Sequence, residues 1–360
     1  MRRRLTPPSR GWIAALAALA VVGCASPKLA YSPELLRSQV RARVPELRES
    51  EIIVPFEVSP EKVATARRAT RRFPNAHRKA LALAKSLGNP KWFGLRYEWA
   101  ASGSAAETFE SGAGNCLALS STFIGLARGI GLDAYYVDAT RIPERREEGE
   151  IIVSAGHIAV AVPTSGGITL VDFAGELRPY TSFRHIDDLE ALAHLYNNRG
   201  YEVIHRAQRR GESVPWEEAR RYFDLARQIS PDFALAWNNL GIAEGRLGNA
   251  EEAERTYRSA IAIDPRLSSP YLNLGNLYLA NGKPEAALVD LQAAARLDRR
   301  NPFIHYLRGL ALAQSGALAD AEKALNRSIR LKRDFADAHA LLAEVRLELS
   351  ADSQGIARAN

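Results

Sequence analysis

A thiol, an imidazole and a carboxylate occur in this chain in an order that acyl transfer can use. They are Cys116 in Gly114-Asn115-Cys116, His157 in Gly156-His157-Ile158, and Asp172 in Leu170-Val171-Asp172-Phe173. A cysteine attacks a carbonyl carbon efficiently when a base takes its proton and later returns it to the leaving group. An imidazole serves as that base when a carboxylate fixes its tautomer. Cys116, His157 and Asp172 fill those three roles in that order. Each residue type is common by itself, since a lone cysteine is usually a small buried hydrophobe, and it is the joint order that carries the reading.

Those residues need a helix and a hairpin to position them. Gly112 and Gly114 mark a tight approach into a helix expected from Cys116 to about Arg128, with Leu119, Phe123, Ala127 and Ile130 on one apolar face and Gly131 at its end. The first position of a helix is where unpaired backbone N–H groups favour a nucleophilic sulfur. A strand is expected over Ala134–Asp138. The charged stretch Arg141–Glu150 reads as a loop over the site, and β-rich runs cover Ile151–Val162 and Ile168–Phe173 around the turn Pro163–Gly167. In an antiparallel hairpin with an even-numbered turn, opposed positions sum to an odd number, so His157 and Asp172 fall on one face. Ala159 and Ala161 leave room beside the imidazole.

The block Gly114–Val137, followed by Gly156–Val160 and Leu170–Phe173, resembles the transglutaminase-like branch of the papain-like fold over roughly residues 90–175. The resemblance implies an α+β papain-like domain that cleaves or transfers an amide bond through a thioester, by hydrolysis or transamidation. One departure stands out. Papain-type enzymes often draw part of their oxyanion hole from an upstream glutamine, and no Gln occurs between Thr65 and Cys116. Tyr97 or Trp99 are the candidate replacement donors.

The second cysteine has a different explanation. Arg2, Arg3, Arg4 and Arg10 precede an apolar stretch, Trp12–Val22, that is too short to span a bilayer, which is the pattern of an export signal. Val21-Val22-Gly23-Cys24 resembles the bacterial lipobox, which implies cleavage before Cys24 and acylation of that residue. Ala25 and Ser26 then lean toward the outer membrane, facing the periplasm. With Cys24 reserved for lipid, Cys116 has no disulfide partner in the chain. The signal holds four arginines and no acidic residue, so its removal brings the formal charge from +7 to about +3. No nucleic-acid partner is expected. One dense basic stretch remains at Arg67, Arg68, Arg71, Arg72, Arg78 and Lys79, which reads as a solvated helix face or as a surface for anionic head groups or glycan-linked phosphates.

The C-terminal part is periodic. Trp237, Tyr271, His305 and His339 are spaced 34 residues apart, as are Gly241, Gly275 and Gly309, and Ala253, Ala287 and Ala321. Tyr257, Leu291 and Leu325, then Ala260, Ala294 and Ser328, complete the tetratricopeptide pattern of large and small positions that lets two antiparallel helices pack closely. Expected bounds are a signal over 1–23, a lipidated tether carrying one or two short helices over 24–60, a transglutaminase-like domain over 61–190 and repeats over 192–350. Within the last, an irregular first repeat covers 192–232, regular repeats cover 234–267, 268–301 and 302–335, and a capping helix covers 336–350.

Arrays of this kind present a concave surface from the first helix of each repeat. Here it is expected to hold Asn238, Ile242, Arg246, Leu272, Asn276, Leu279, Phe303, Tyr306, Leu310 and Gln314, which suits a groove for a protein or peptide partner. The whole chain looks like the bacterial envelope lipoproteins that join a transglutaminase-like domain to such repeats. No cofactor is expected, and His185, His194 and His205 lack a metal-site spacing. The leading expectation is a lipid-anchored cysteine hydrolase or acyltransferase whose repeats recruit a protein, peptide or cell-wall partner. The alternatives are a non-catalytic repeat scaffold with a degenerate enzyme domain, and an envelope assembly factor that uses the repeats alone.

Overall fold

The computed structural model describes residues 32–138, 158–173 and 183–359, with side chains through residue 351, and the backbone of 18–19, 144–148 and 151–155. The chain divides into two compact units, the boundary falling after residue 214, with 147–152 grouped with the second unit and 228–230 with the first. The first unit contains, in order, β1 (Ala18–Leu19), α1 (Pro33–Arg43), α2 (Pro60–Thr70), α3 (Ala76–Gly88), β2 (Arg96–Tyr97), α4 (Ala105–Ser111), β3 (Ala113–Gly114) and α5 (Cys116–Gly129). Next in the chain come β5 (Glu144–Glu148) and β6 (Ile151–Ala155), each divided between the units, after β4 (Tyr135–Asp138) and before β7 (Ile158–Thr164), β8 (Gly167–Val171), β9 (Arg184–Ile186) and α6 (Asp188–Arg210) of the first unit.

Five strands form an antiparallel sheet in the order β1-β8-β7-β4-β9. Its centre is the β7–β8 hairpin, in which Val160 opposes Val171 and Ala161 opposes Leu170. Alternation then separates two faces. On one, Val137, Ala159, Ala161 and Leu170 cluster with Tyr135, Ile168 and Phe183. On the other lies α5, where the Tyr136 hydroxyl donates to Ser121 Oγ at 3.0 Å and Phe123 packs on Phe173 with ring centroids 6.0 Å apart. Helix α5 is buried along nearly its whole length. A Cβ on Gly125 would come within 2.1 Å of the Phe56 carbonyl oxygen, so only glycine lets the chain over Phe56 cross this helix so closely.

Three sequence expectations change here. Residues 33–58, expected to be tether, are part of the packed unit: Leu36, Val40, Val44, Ile52, Val54 and Phe56 are all buried. Apolar residues at positions 36, 40 and 44 give α1 and its C-cap a buried stripe, and Pro33 starts that helix under a Ser32 cap rather than breaking it. The stretch Arg141–Glu150, expected to be a loop, contains β5, and the single β run expected over 151–162 is divided, β6 pairing with β5 while β7 joins the main sheet. Helix α6 begins at Asp188, spans the expected boundary at 190–192 and groups with the sheet unit. It is tied there by Arg128, whose guanidinium makes paired bonds of 2.9 and 2.8 Å to Asp188, and by the Arg199–Glu107 ion pair.

The second unit is helical: α7 (Trp216–Ile229), α8 (Ala234–Arg246), α9 (Ala250–Ile263), α10 (Ser268–Ala280), α11 (Pro284–Leu297), α12 (Pro302–Gln314), α13 (Leu318–Leu331) and α14 (Ala336–Ala359). Helices pair as α8 with α9, α10 with α11 and α12 with α13, and α14 packs on α13. Its terminal core holds Phe335, Ala338, Leu342 and Val345 against Ala321 and Leu325. Among the described residues no helix is long and apolar enough to cross a membrane.

Candidate functional site

In the first unit, Asn115 caps α5 by accepting the Ala118 N–H at 3.0 Å, and its own amide donates to Ser102 Oγ at 2.8 Å. The chain leading into the cap is held from the side. β2 runs parallel to β3, the Glu98 N–H donates to the Gly114 carbonyl and the Asn115 N–H donates to the Ala101 carbonyl. Cys116 is therefore fixed at the first turn of a buried helix as a half-buried free thiol. One turn further on, the Ser120 hydroxyl donates to the Ile158 carbonyl at 3.4 Å. That contact ties the thiol helix to the first residue of β7.

His157, the residue before Ile158, lies outside the described residues, as does Cys24. Asp172 is buried, and the hairpin register puts it on the face of Ala159, Ala161 and Leu170, away from the face that α5 covers. The structure thus ties the helix that carries Cys116 to the start of β7 and places Asp172 on the other face of the sheet. Of the two donors suggested for an oxyanion hole, Tyr97 lies in β2 beside Gly114. The Trp99 indole stands edge-on to Tyr201 and His205 of α6, with ring centroids 5.6 Å away in each case. That cluster beside the thiol segment was hidden in the sequence, because roughly a hundred residues separate its members. Among the described residues no group of three or more metal-ligating side chains converges.

The second unit repeats one contact three times. A Cβ on Gly241 would lie 2.6 Å from the Tyr257 ring, one on Gly275 would lie 2.5 Å from Leu291 Cγ, and one on Gly309 would lie 2.6 Å from Leu325 Cγ. In each helix pair the glycine of the first helix accepts the large residue 16 positions later on the second. Residues 216–267 and 256–289 match the tetratricopeptide repeat family, and residues 275–316 match a family described as TPR repeat. Residues 216–316 are tetratricopeptide repeats.

The array resembles parts of longer proteins. It is 27% identical over 144 residues to protein O-mannosyl-transferase TMTC3 of Homo sapiens, covering 38% of this chain and 15% of that protein. Over 87 residues it is 33% identical to the tetratricopeptide repeat and J domain-containing co-chaperone DNJ1 of Cryptococcus neoformans, covering 24% of this chain and 17% of that one. The chain thus spans about a sixth of the length of either relative. Among solved structures, MamA residues 41 to the end from Desulfovibrio magneticus RS-1 is 23% identical with a TM-score of 0.38, over 44% of this chain and 85% of that one. The first TPR of Spaghetti (RPAP3) bound to an HSP90 peptide is 24% identical with a TM-score of 0.32, over 32% and 93%.

The expected groove is revised by packing within the tetratricopeptide unit. Asn238, Ile242, Leu272 and Leu279 are buried. Asn238 donates to Asn239 and accepts from Asn273 of the next repeat at 2.9 Å, so positions that could read a ligand instead join neighbouring first helices. Phe303 and Tyr306 pack at a tilt against Phe335, with ring centroids 4.9 and 5.0 Å away, inside the terminal core. Arg246, Asn276 and Gln314 are exposed, and Leu310 is half-buried. Arg258 of α9 bridges to the next repeat through Asp290, at 3.1 and 3.2 Å, and through the Tyr278 hydroxyl at 3.1 Å.

Proposed function

We propose that this protein is an interaction scaffold whose tetratricopeptide array holds an extended polypeptide segment along its first helices. The carrying observation is the row Arg246, Ala280 and Gln314, one residue per repeat at the same slot and exposed in all three, beside the exposed Asn276. Such a row offers side-chain donors at a repeating interval with a small residue between them, an arrangement that suits a backbone-reading surface more than an apolar pocket. A photo-crosslinking residue at Asn276 should yield a discrete polypeptide adduct in cells. The adduct should be lost in Arg246→Glu/Gln314→Glu and absent when the probe replaces the exposed Val289 on the second helix of the same repeat. Equal labelling from positions 276 and 289 would remove the groove from the proposal. The export signal and Cys24 are read as placing this scaffold on the outer membrane. Loss of a fatty-acid label in Cys24→Ser tests that part separately.

A second reading is favoured by one contact. Ser120 binds the Ile158 carbonyl one helical turn from Cys116, which brings the thiol toward the residue that follows His157 in the sequence. In this reading the first unit is a transglutaminase-like cysteine hydrolase or acyltransferase that forms a thioester at Cys116. Its test is a thiol-directed acylating probe near neutral pH. Cys116 should react faster than a free thiol and lose that advantage in His157→Ala, whereas indifference to the histidine leaves the unit as a non-catalytic support.

A further inference from the structure

From Lys62 to Tyr97 the chain holds ten Lys and Arg residues and no Asp or Glu. This stretch builds α2 and α3, which pack on α5 and the β7–β8 hairpin through Ala66, Thr70, Ala80, Leu83 and Leu87. The opposite side of α2 and the turn after it expose Arg67, Arg68, Arg71, Arg72 and Phe73, and the first turn of α3 exposes Arg78. Positions 67, 68, 71 and 72 are three and four apart, so their guanidinium groups share one helix side and its continuation into the turn. Elsewhere in this unit arginines find carboxylates, as Arg37 does in Glu57 and Arg128 in Asp188. Here Arg67 donates to the Gly129 carbonyl and Arg68 to the Thr65 hydroxyl, and among the described residues none of the five arginines forms an ion pair. At the tip, Phe73 is 37% exposed, one of five large apolar side chains that are exposed among the described residues.

We propose that the α2–α3 hairpin is a docking surface for an anionic phospholipid membrane. Unpaired guanidinium groups match phosphate oxygens in planar, two-pronged hydrogen bonds. An exposed phenyl ring among them adds what a soluble polyanion cannot use, an apolar group that enters the boundary between head groups and acyl chains. The surface acts in addition to the repeat array and the thiol, and depends on neither reading of them.

The test is vesicle co-sedimentation of the full chain with phosphatidylcholine vesicles, with and without phosphatidylglycerol, and with soluble inorganic polyphosphate as the competing class. The apolar N-terminal stretch supplies a salt-insensitive background common to all variants. Above it, binding should require phosphatidylglycerol and fall between 0.1 and 1 M salt, as the screening length drops from about 10 to about 3 Å. Each arginine near such a surface is worth roughly fivefold in partitioning, so Arg71→Ala/Arg72→Ala should lower it on the order of twentyfold. Phe73→Ser should weaken vesicle binding several-fold and leave polyphosphate binding unchanged. Binding that ignores phosphatidylglycerol, or that survives the double arginine variant, overturns the proposal. Binding to polyphosphate as strong as to vesicles, with no effect of Phe73→Ser, reassigns the face to soluble polyanions.

Discussion

The Ser120 hydroxyl reaches the Ile158 carbonyl at 3.4 Å, joining the second turn of the thiol helix to the first residue of the strand that follows His157. Both groups are buried, so the contact satisfies an acceptor at a strand end that water does not reach. Ser120→Ala should cost about 1–3 kcal/mol, the penalty for leaving a buried acceptor unpaired. If Cys116 works with His157, the same change should slow acylation of Cys116 by more than its loss of stability explains. Urea unfolding and single-turnover probe labelling on the same preparation separate the two effects, and an unchanged labelling rate confines Ser120 to packing.

Gly275 is the cleanest probe of the repeat packing. Gly275→Ala drives a methyl group into Leu291, whose Cγ would lie 2.5 Å away, and overpacking of this kind costs about 1–3 kcal/mol. Adding Leu291→Ala should recover part of that loss. Two single variants whose costs merely add in chemical denaturation would show that the two side chains do not meet.

Between repeats, Arg258 supplies the positive charge facing Asp290, whose carboxyl burial pushes upward in pKa while Arg258 holds it down. Arg258→Ala leaves Asp290 with its main partner gone and should destabilise the array by about 1–3 kcal/mol, below the 3–5 kcal/mol typical of fully buried pairs because the arginine is half-exposed. Arg258→Ala/Asp290→Asn should be more stable than Arg258→Ala alone. A double-mutant cycle in urea measures the coupling.

His194 is expected to contribute to the pH dependence of the first unit. Burial lowers its pKa to about 4, against the opposing pull of Glu190 and Asp138 and with a further lowering contribution from Arg184. The unfolded chain then binds a proton that the folded one refuses between the ordinary histidine value and about 4. Stability is therefore full above that window and falls as pH drops through it, by about 3 kcal/mol in all. In His194→Gln the urea midpoint of this unit should change less between pH 6.5 and pH 4 than in the wild type. Parallel curves for the two proteins would assign the acid sensitivity to other groups.

The repeat array was legible because its period is local: a glycine and the large residue 16 positions later must meet in every helix pair, and the spacing of 34 residues displays that meeting three times. The start of α5 was legible for a similar reason, since Gly112 and Gly114 beside an apolar helical run mark a tight approach within a few residues, and the structure adds the Asn115 cap. The groove was harder. The spacing placed Asn238 and Leu272 on the first helices, but only the neighbouring helix decides whether such a position faces a ligand or Asn273.

By itself, then, the sequence determined the elements whose cause lies within a few residues or one repeat: caps, amphipathic stripes, the β7–β8 hairpin, the paired helices and the basic run between Lys62 and Tyr97. Tertiary structure decided what depends on partners distant in the chain. It closed residues 33–58 onto α5 through the Gly125 and Phe56 contact, drew α6 to the sheet unit through Arg128 and Asp188, and buried four of the ten expected groove residues. The reason is physical: burial and ion pairing are settled by whichever surface arrives across a loop, and a periodic pattern records only that a face is apolar or charged.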